Sequence, residues 1–199
     1  NGFLWIDENE NGLRDLNEFG PEFWTVELVD NTGQVLDLRT EIEPDDLPDG
    51  QLTSGFNPAL TLTTNGTDGD GRVAVFSDSQ TSTGTKNFRG YSKSSRSYLS
   101  SWNSSSRRLQ ADFATPTSVV LIDAVGSSNN TYGRLEAFNS SGELVGRYTT
   151  ESLALGQVET MEIRRGAADI AYVIAGGHAK SSVKLDNLRF GPEAVANTG

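Results

Sequence analysis

The chain has 199 residues, a formal net charge of −11 at pH 7, 21 glycines and no cysteine. This length suits one large β domain, or one domain with an appended segment. The absence of cysteine excludes a disulfide framework and thiol catalysis. The negative net charge argues against nucleic acid as a partner, and the sequence has no apolar run long enough for membrane insertion.

The first predicted elements are two short strands on either side of an acidic loop. The apolar run "GFLWI" and the alternating run "EFWTVELVD" both indicate strands. The loop between them has the ligand spacing of an EF-hand-type calcium site. Its ligand positions are Asp7, Asn9, Asn11, Leu13 (through the backbone carbonyl), Asp15 and Glu18. The spacing predicts bound calcium; the alternative is a solvated acidic turn, because Asp, Asn and Gly are also ordinary turn residues.

The segment "GFLWIDENENGLRDLNEFG" resembles the calcium-binding B-type repeats of bacterial surface adhesins, and similar loops in dockerin and thrombospondin-like modules. The resemblance covers residues 1–35 and departs from those repeats at "PEFW", where they usually carry a small-residue turn. It implies a calcium-bound strand–loop–strand segment in an extracellular or cell-surface bacterial protein.

The rest of the chain is predicted to be strands and turns. "ALTLTT" and "RVAVFSD" are followed, from residue 107, by seven regularly spaced runs: "RRLQADFA", "SVVLIDAVG", "YGRLEAFN", "ELVGRYTT", "QVETMEIRR", "DIAYVIAG" and "SVKLDNLRF". This spacing predicts an all-β, antiparallel sandwich or barrel over residues 36–191, with residues 192–199 as a disordered tail. Asp68 and Asp70 in "NGTDGDG" are interpreted as turn residues, with a metal site as the alternative.

Four stretches of this region, "FATPTSVVLIDAVGSS", "YGRLEAFNSSGELVGRYTT", "ADIAYVIAGG" and "VKLDNLRFG", resemble the strands of jelly-roll β-sandwich modules of secreted bacterial proteins, including carbohydrate-binding modules. With "IEPDDLPDGQL" upstream, the resemblance covers residues 40–190. It implies an antiparallel jelly-roll-type sandwich with a structural calcium held by Glu43 and Asp186. From the residues alone, Asp186 could equally face solvent, because Lys184, Asp186 and Leu188 share a strand face by alternation.

A Ser-rich segment, "TKNFRGYSKSSRSYLSSWNSSSRR", interleaves aromatic side chains with cations. Residues 79–111 contain six bases and no acid, whereas residues 1–50 contain fourteen acids and two bases. Aromatic rings can stack on sugars, and Arg binds carboxylate or sulfate. The segment therefore predicts an anionic polysaccharide ligand held by Phe88, Arg89, Tyr91, Arg96, Tyr98 and Trp102. In the alternative, the aromatic side chains anchor a long loop across the sandwich and the cations stay solvated.

Catalysis has little support in the sequence. The single histidine, His178, lies in the turn "AGGHAK", and there is neither a nucleophile elbow nor a cysteine. We therefore predict a non-catalytic, calcium-stabilised module that binds carbohydrate. The alternative is a structural subunit of an extracellular filament, surface layer or adhesin, in which the N-terminal segment pairs with the sheet edge of a neighbouring copy.

Overall fold

The structure, a computed structural model, describes residues 39–192. The predicted calcium loop from Asp7 to Glu18, the predicted domain boundary at residue 35 and the tail from residue 193 lie outside the described residues. Within residues 39–192, the helical structure consists of one short 3-10 turn, Pro44–Asp46. No helix in this part of the chain is long and apolar enough to cross a membrane.

The strands of the described part are short and follow one another closely. They are β1 (Thr40–Ile42), β2 (Leu60–Asn65), β3 (Gly69–Ser77), β4 (Lys86–Ser92), β5 (Ser97–Leu99), β6 (Trp102–Asn103), β7 (Arg108–Thr117), β8 (Val119–Gly126), β9 (Gly133–Phe138), β10 (Leu144–Thr149), β11 (Val158–Arg164), β12 (Ile170–Gly177) and β13 (Ser182–Gly191).

These strands form two antiparallel sheets. The eight-stranded sheet has the order β11-β8-β13-β4-β3, with β1 and β6 also paired to β13 and β5 paired to β4. The five-stranded sheet has the order β10-β9-β12-β7-β2. From β7 onward the chain changes sheet at every connection except the β9–β10 hairpin, which is typical of a jelly roll. The predicted all-β, jelly-roll-type sandwich is confirmed.

Alternation of side chains explains why each sheet can cover the other. On β9, Leu135 and Ala137 are buried in the core, while Arg134, Glu136 and Phe138 lie on the opposite face of the strand. The same alternation holds on β7, where Leu109, Ala111 and Phe113 are buried. The five-stranded sheet therefore keeps one face in the core and directs the other outward.

The Ser-rich segment contributes to the core instead of forming a loop. Its residues form β4, β5 and β6, and Phe88 and Trp102 are both 0% exposed. The indole Nε1 of Trp102 donates a hydrogen bond to the backbone oxygen of Phe88 at 3.0 Å. Gly90 makes room for the indole, because a Cβ at that position would lie 2.8 Å from the ring. The interpretation of this segment as a long loop was wrong.

Candidate functional site

The outward face of the five-stranded sheet carries side chains in three rows that cross its strands. Register pairing places Leu144, Phe138, Tyr172, Asp112 and Thr61 in the first row. The second row contains Arg147, Glu136, Ile174, Gln110 and Thr63. The third contains Thr149, Arg134, Gly176, Arg108 and Asn65. One end of this face is therefore rich in arginine and the other in apolar side chains.

The arginine-rich end forms a groove of about 210 Å³. It is lined by Ser104, Arg108, Arg134, Glu136, Ile174, Gly176, Gly177 and His178. Gly176 forms part of the groove because it lacks a side chain: a Cβ there would lie 3.1 Å from Cγ of Arg108 and 2.7 Å from the backbone oxygen of Asn103. A larger residue at this position would displace Arg108.

Glu136 is bound firmly by one arginine and loosely by another. Nε and a terminal nitrogen of Arg147 donate to Oε1 of Glu136 at 3.0 and 2.8 Å. A terminal nitrogen of Arg108 lies 3.6 Å from Oε2 of Glu136, which is too far for a hydrogen bond. Arg108 also donates to Oδ1 of Asn65 at 3.3 Å, and its Nε is buried without a hydrogen-bond partner. The guanidinium of Arg108 is therefore incompletely bonded.

Arg134 has neutral partners. Its Nε donates to Oγ1 of Thr149 at 3.1 Å, and one of its terminal nitrogens lies 2.9 Å from Nε2 of His178. Among residues 39–192, no carboxylate lies within ion-pair distance of Arg134. Burial and the charges of Arg134 and Arg147 lower the pKa of His178. The imidazole is consequently neutral at pH 7 and can accept the hydrogen bond from Arg134.

The opposite end of the face is apolar. The rings of Phe138 and Tyr172 are stacked, with centroids 4.9 Å apart and an interplanar angle of 8°. Leu144, the cross-strand partner of Phe138, is 44% exposed. Four residues along β9 separate Arg134 from Phe138, a distance of roughly 13 Å. An extended ligand could therefore meet charged donors at one end and ring faces or edges at the other.

Amide and carboxylate groups line the side of the face formed by β2 and β7. Nδ2 of Asn65 donates to Oε1 of Gln110 at 2.7 Å, and Nε2 of Gln110 donates to Oδ1 of Asp112 at 2.8 Å. These contacts hold the three side chains in fixed positions while leaving acceptor lone pairs for further hydrogen bonds. Together with the groove, they give the face both charged and neutral hydrogen-bonding groups.

The predicted ligand-binding role was wrong for two residues. Phe88 and Trp102 are 0% exposed and fill the core, so neither ring can stack on a ligand. Arg89 donates to the backbone oxygen of Ser77 at 2.7 Å and pairs with Asp78 at 3.3 Å. A terminal nitrogen of this guanidinium is thus engaged within the sandwich, while its Nε is buried without a hydrogen-bond partner.

The other three predicted residues stay at the surface. Tyr91 and Tyr98 pack edge to face, with centroids 5.2 Å apart and an interplanar angle of 75°. The guanidinium of Arg72 lies over the Tyr91 ring, 3.6 Å from its centroid. Arg96 is exposed in the turn before β5. The two tyrosine rings are not coplanar, and a ligand role for Tyr91, Arg96 and Tyr98 stays a prediction.

Glu43 and Asp186 are brought to the same loop. Thr83 Oγ1 donates to Oε2 of Glu43 at 2.7 Å, and the Thr83 amide donates to Oδ2 of Asp186 at 3.3 Å. The amide of Ser82 donates to the same Asp186 oxygen at 2.7 Å. Asp186 is 0% exposed, so the solvent-facing alternative was wrong. Burial raises the pKa of both carboxyls, and the charge of Asp186 raises that of Glu43 further.

One orphaned oxygen beside these two carboxylates is of the kind that a hard cation binds. The side-chain oxygen of Asn187 is buried without a hydrogen-bond partner. Asn187 lies beside Asp186 in the β13 bulge, with a φ of 42°. Within residues 39–192, no group of three or more His, Cys, Asp or Glu side chains is placed to hold a metal ion. A calcium ion here would be held by Glu43 and Asp186 and would complete its shell with neutral oxygens, which calcium accepts.

Asp68 and Asp70, the alternative metal ligands in "NGTDGDG", both have cationic partners. Asp68 pairs with Arg107 at 2.9 Å and accepts a hydrogen bond from the Ser94 amide at 2.9 Å. Asp70 is bound by the guanidinium of Arg72. The Asp68–Arg107 pair connects the turn to the segment just before β7, and the Asp70–Arg72 pair lies within β3.

The sequence analysis did not assign several groove residues to a site, although their spacing along one strand could have indicated a shared face. In "YGRLEAFN", alternation alone places Arg134, Glu136 and Phe138 on one strand face. Arg108 and Arg147 join them only because β7 and β10 lie in the same sheet as β9. His178 was interpreted as a surface residue in a turn, and it does lie in the turn between β12 and β13.

No protein-family model matches the chain, and no curated protein matches it. Among solved structures, it is similar to the K2 cleaved adhesin domain of Lys-gingipain, with 18% identity, a TM-score of 0.43, and coverage of 76% of this chain and 98% of that chain. It is also similar to the CBM22-1–GH10 modules of Clostridium thermocellum endo-1,4-β-D-xylanase 10B complexed with xylohexaose. That match has 9% identity and a TM-score of 0.41, and it covers 67% of this chain and 26% of that chain.

Proposed function

We propose that the chain is a non-catalytic carbohydrate-binding module that takes an anionic polysaccharide on the outward face of its five-stranded sheet. The observation that carries this proposal is the groove in which Arg108 and Arg134 have no hydrogen-bonded carboxylate among residues 39–192. Planar guanidinium groups bind carboxylate or sulfate through paired, charge-assisted hydrogen bonds. An acidic sugar would supply a hydrogen-bonded anion, whereas Glu136 approaches Arg108 only to 3.6 Å.

The rest of the face suits a sugar chain better than a small anion. Gln110 and Asn65 offer fixed amide groups to hydroxyls, and Glu136 is a strong acceptor. The stacked rings of Phe138 and Tyr172 offer apolar surface to a sugar ring further along the strands. A groove of about 210 Å³ is smaller than a typical ligand pocket, so most of a longer ligand would lie over the open sheet.

Binding rather than hydrolysis is supported by the acidic groups near the groove. Glycoside hydrolysis ordinarily uses two carboxyl groups on opposite sides of the bond. Glu136 is the one carboxylate among the side chains that line the groove, and it is engaged with Arg147 at 2.8 Å.

Calcium enters the proposal as a stabilising ion. Glu43 and Asp186 join the start of the sandwich, at the end of β1, to its last strand, and a cation between them would offset the unfavourable burial of two anions. The predicted EF-hand-type calcium loop, Asp7 to Glu18, lies outside the described residues and stays a prediction. We further propose that the module acts outside the cell or on a bacterial surface, as the sequence resemblances imply.

Affinity electrophoresis tests the ligand and its site together. The full chain is run through gels that contain polygalacturonate, alginate or chondroitin sulfate, with neutral xylan for comparison. We expect retardation by at least one acidic polymer, and we expect Arg134→Gln to weaken it roughly 10- to 100-fold, because a charge-assisted hydrogen bond is lost.

Arg96→Gln is the matched control, because it removes the same charge from the surface segment that the sequence first indicated. It should bind as the unaltered protein does. If Arg96→Gln loses binding and Arg134→Gln keeps it, the site belongs to the Tyr91–Tyr98 surface instead. If no acidic polymer retards the unaltered protein, the proposed function is wrong. The filament alternative depends on the N-terminal segment and stays a prediction.

A further inference from the structure

The two carboxylate oxygens of Glu136 are bonded unequally. Oε1 accepts two hydrogen bonds from Arg147, at 3.0 and 2.8 Å. Oε2 faces Arg108 across β12 at 3.6 Å, beyond hydrogen-bonding distance. The side chain of Glu136 is 15% exposed, so its charge acts on the groove with little screening by solvent. Glu136 is thus anchored to β10 and only approaches Arg108.

Arg108 is correspondingly left with spare hydrogen-bonding capacity. Its Nε is buried and has no partner, and its hydrogen bond to Asn65 is long, at 3.3 Å. Gly176 lies beneath its side chain, leaving space where any other residue would place a Cβ 3.1 Å from Cγ of Arg108. The groove therefore contains both an under-bonded cation and room beside it.

Arg134 lies on the other side of Gly176. Arg134 and Gly176 are register partners on β9 and β12. Within residues 39–192, Arg134 donates to a hydroxyl and contacts the neutral imidazole of His178. An anion placed over Gly176 would thus meet Arg134 on one side and Arg108 on the other. The anion already nearest to Arg108 is Glu136.

We infer that Glu136 is a built-in competitor for the acidic group of the ligand. A carboxylate or sulfate on the sugar binds between Arg108 and Arg134 over Gly176 and replaces Glu136 as the partner of Arg108, while Arg147 retains Glu136. This inference rests on the proposed function and adds how the same site selects its ligand. Glu136 lowers the affinity for acidic sugars and offers neutral sugars an acceptor, so it sets the preference between them.

The inference reverses the usual expectation for a binding-site residue. Substituting Glu136→Gln removes one negative charge next to the anion site and keeps the shape and hydrogen-bonding capacity of the side chain. Affinity for an acidic sugar should rise on the order of tenfold at low ionic strength. The gain should shrink at high salt, because part of the interaction is screened.

The experiment titrates the full chain with D-glucuronate and, separately, with D-glucose, and follows the backbone amide signals of Gly176 and Gly177 by NMR. We expect glucuronate to shift both signals, with a dissociation constant about tenfold lower in Glu136→Gln. Glucose should bind equally or more weakly in the variant. Glu143→Gln, an exposed carboxylate in the β9–β10 turn, changes the net charge equally and should leave the dissociation constant unchanged.

The inference is overturned if Glu136→Gln binds glucuronate with equal or lower affinity, if Glu143→Gln gives the same gain, or if neither glycine signal moves in either protein. A thermal unfolding curve for each variant separates a local effect from a loss of structure. The polymer gels test the proposed function separately. If the protein binds glucuronate in the groove but no acidic polymer retards it, polysaccharide binding is wrong while the role of Glu136 as a competitor still holds.

Discussion

Charged side chains on the two sheets of the sandwich differ in how completely they are paired. On the eight-stranded sheet, Asp78 pairs with Lys184 and with Arg89, and its side chain is 8% exposed. Asp123 accepts from Thr160 at 2.6 Å and pairs with Arg189 at 3.3 Å, and its side chain is 7% exposed. On the five-stranded sheet, Arg108 and Arg134 have no hydrogen-bonded carboxylate.

The difference separates charge that holds the protein together from charge that is free to bind. A largely buried ion pair is a poor site for a ligand, because breaking it leaves uncompensated charge in a poorly solvated place. A cation with neutral or distant partners can instead accept an outside anion without breaking a strong contact. The outward face of the five-stranded sheet is therefore the better candidate, although the basic Ser-rich segment holds more cations in sequence.

The largest expected effect is a difference in the free energy of unfolding between one substitution on each sheet. Asp78→Asn leaves Lys184 and Arg89 without their carboxylate, and Lys184 is only 11% exposed. We expect the free energy of unfolding to fall by about 3 kcal/mol. Glu136→Gln, whose partners are 28% and 48% exposed, should cost less than about 1 kcal/mol. Urea denaturation measures both, and equal losses would remove the distinction between the faces.

Calcium should stabilise the sandwich through the edge where β1 meets β13. At a free concentration about 100 times the dissociation constant, a bound ion adds about 2.7 kcal/mol to the free energy of unfolding. Calcium should increase the protection of backbone amides against hydrogen exchange in residues 39–192, and Glu43→Gln should abolish most of this increase. Glu18→Gln, in the predicted N-terminal loop, is the matched control and should leave that protection unchanged. Protection that follows Glu18 instead would assign the effect to the N-terminal loop.

The same two carboxyls predict how stability changes with pH when metal is removed. The pKa values of Glu43 and Asp186 are raised by burial, so the folded state binds protons more readily than the unfolded state. Their contribution is then most favourable below the ordinary carboxyl range of about 4 and is lost as pH rises through the raised values. We expect the calcium gain to be small near pH 4 and larger at pH 7, as melting temperatures with and without chelator would reveal.

The smallest expected effect concerns His178, the one histidine of the chain. Its pKa is lowered by burial and by Arg134 and Arg147, so the folded state favours the neutral form. The associated stability is present above the ordinary value of about 6.5 and is lost as pH falls below it. NMR titration of the single imidazole checks the direction directly. A pKa above 6.5 would contradict the arginine contacts described for the groove.

Much of the fold could be predicted from local patterns, and the exceptions have physical reasons. The strands from β7 to β13 were recognisable because their apolar residues alternate or run continuously, as the burial of Leu135 and Val120 requires. β4 to β6 were missed because serine and glycine weaken the strand signal, and Phe88 and Trp102 were then assigned to a ligand. Core and ligand-binding aromatic residues have the same chemistry, so only burial distinguishes them.

By itself, the sequence determined the class of the protein: short alternating strands and turns at regular spacing specify an all-β sandwich or barrel, and the resemblance to jelly-roll modules favoured the sandwich. It also paired Glu43 with Asp186, through resemblance. The tertiary structure alone decided which charges are satisfied. Asp78 and Lys184 are 106 positions apart, and Arg108, Arg134 and Arg147 lie on three different strands. Strand register sets these distances, and register follows from how the whole core packs.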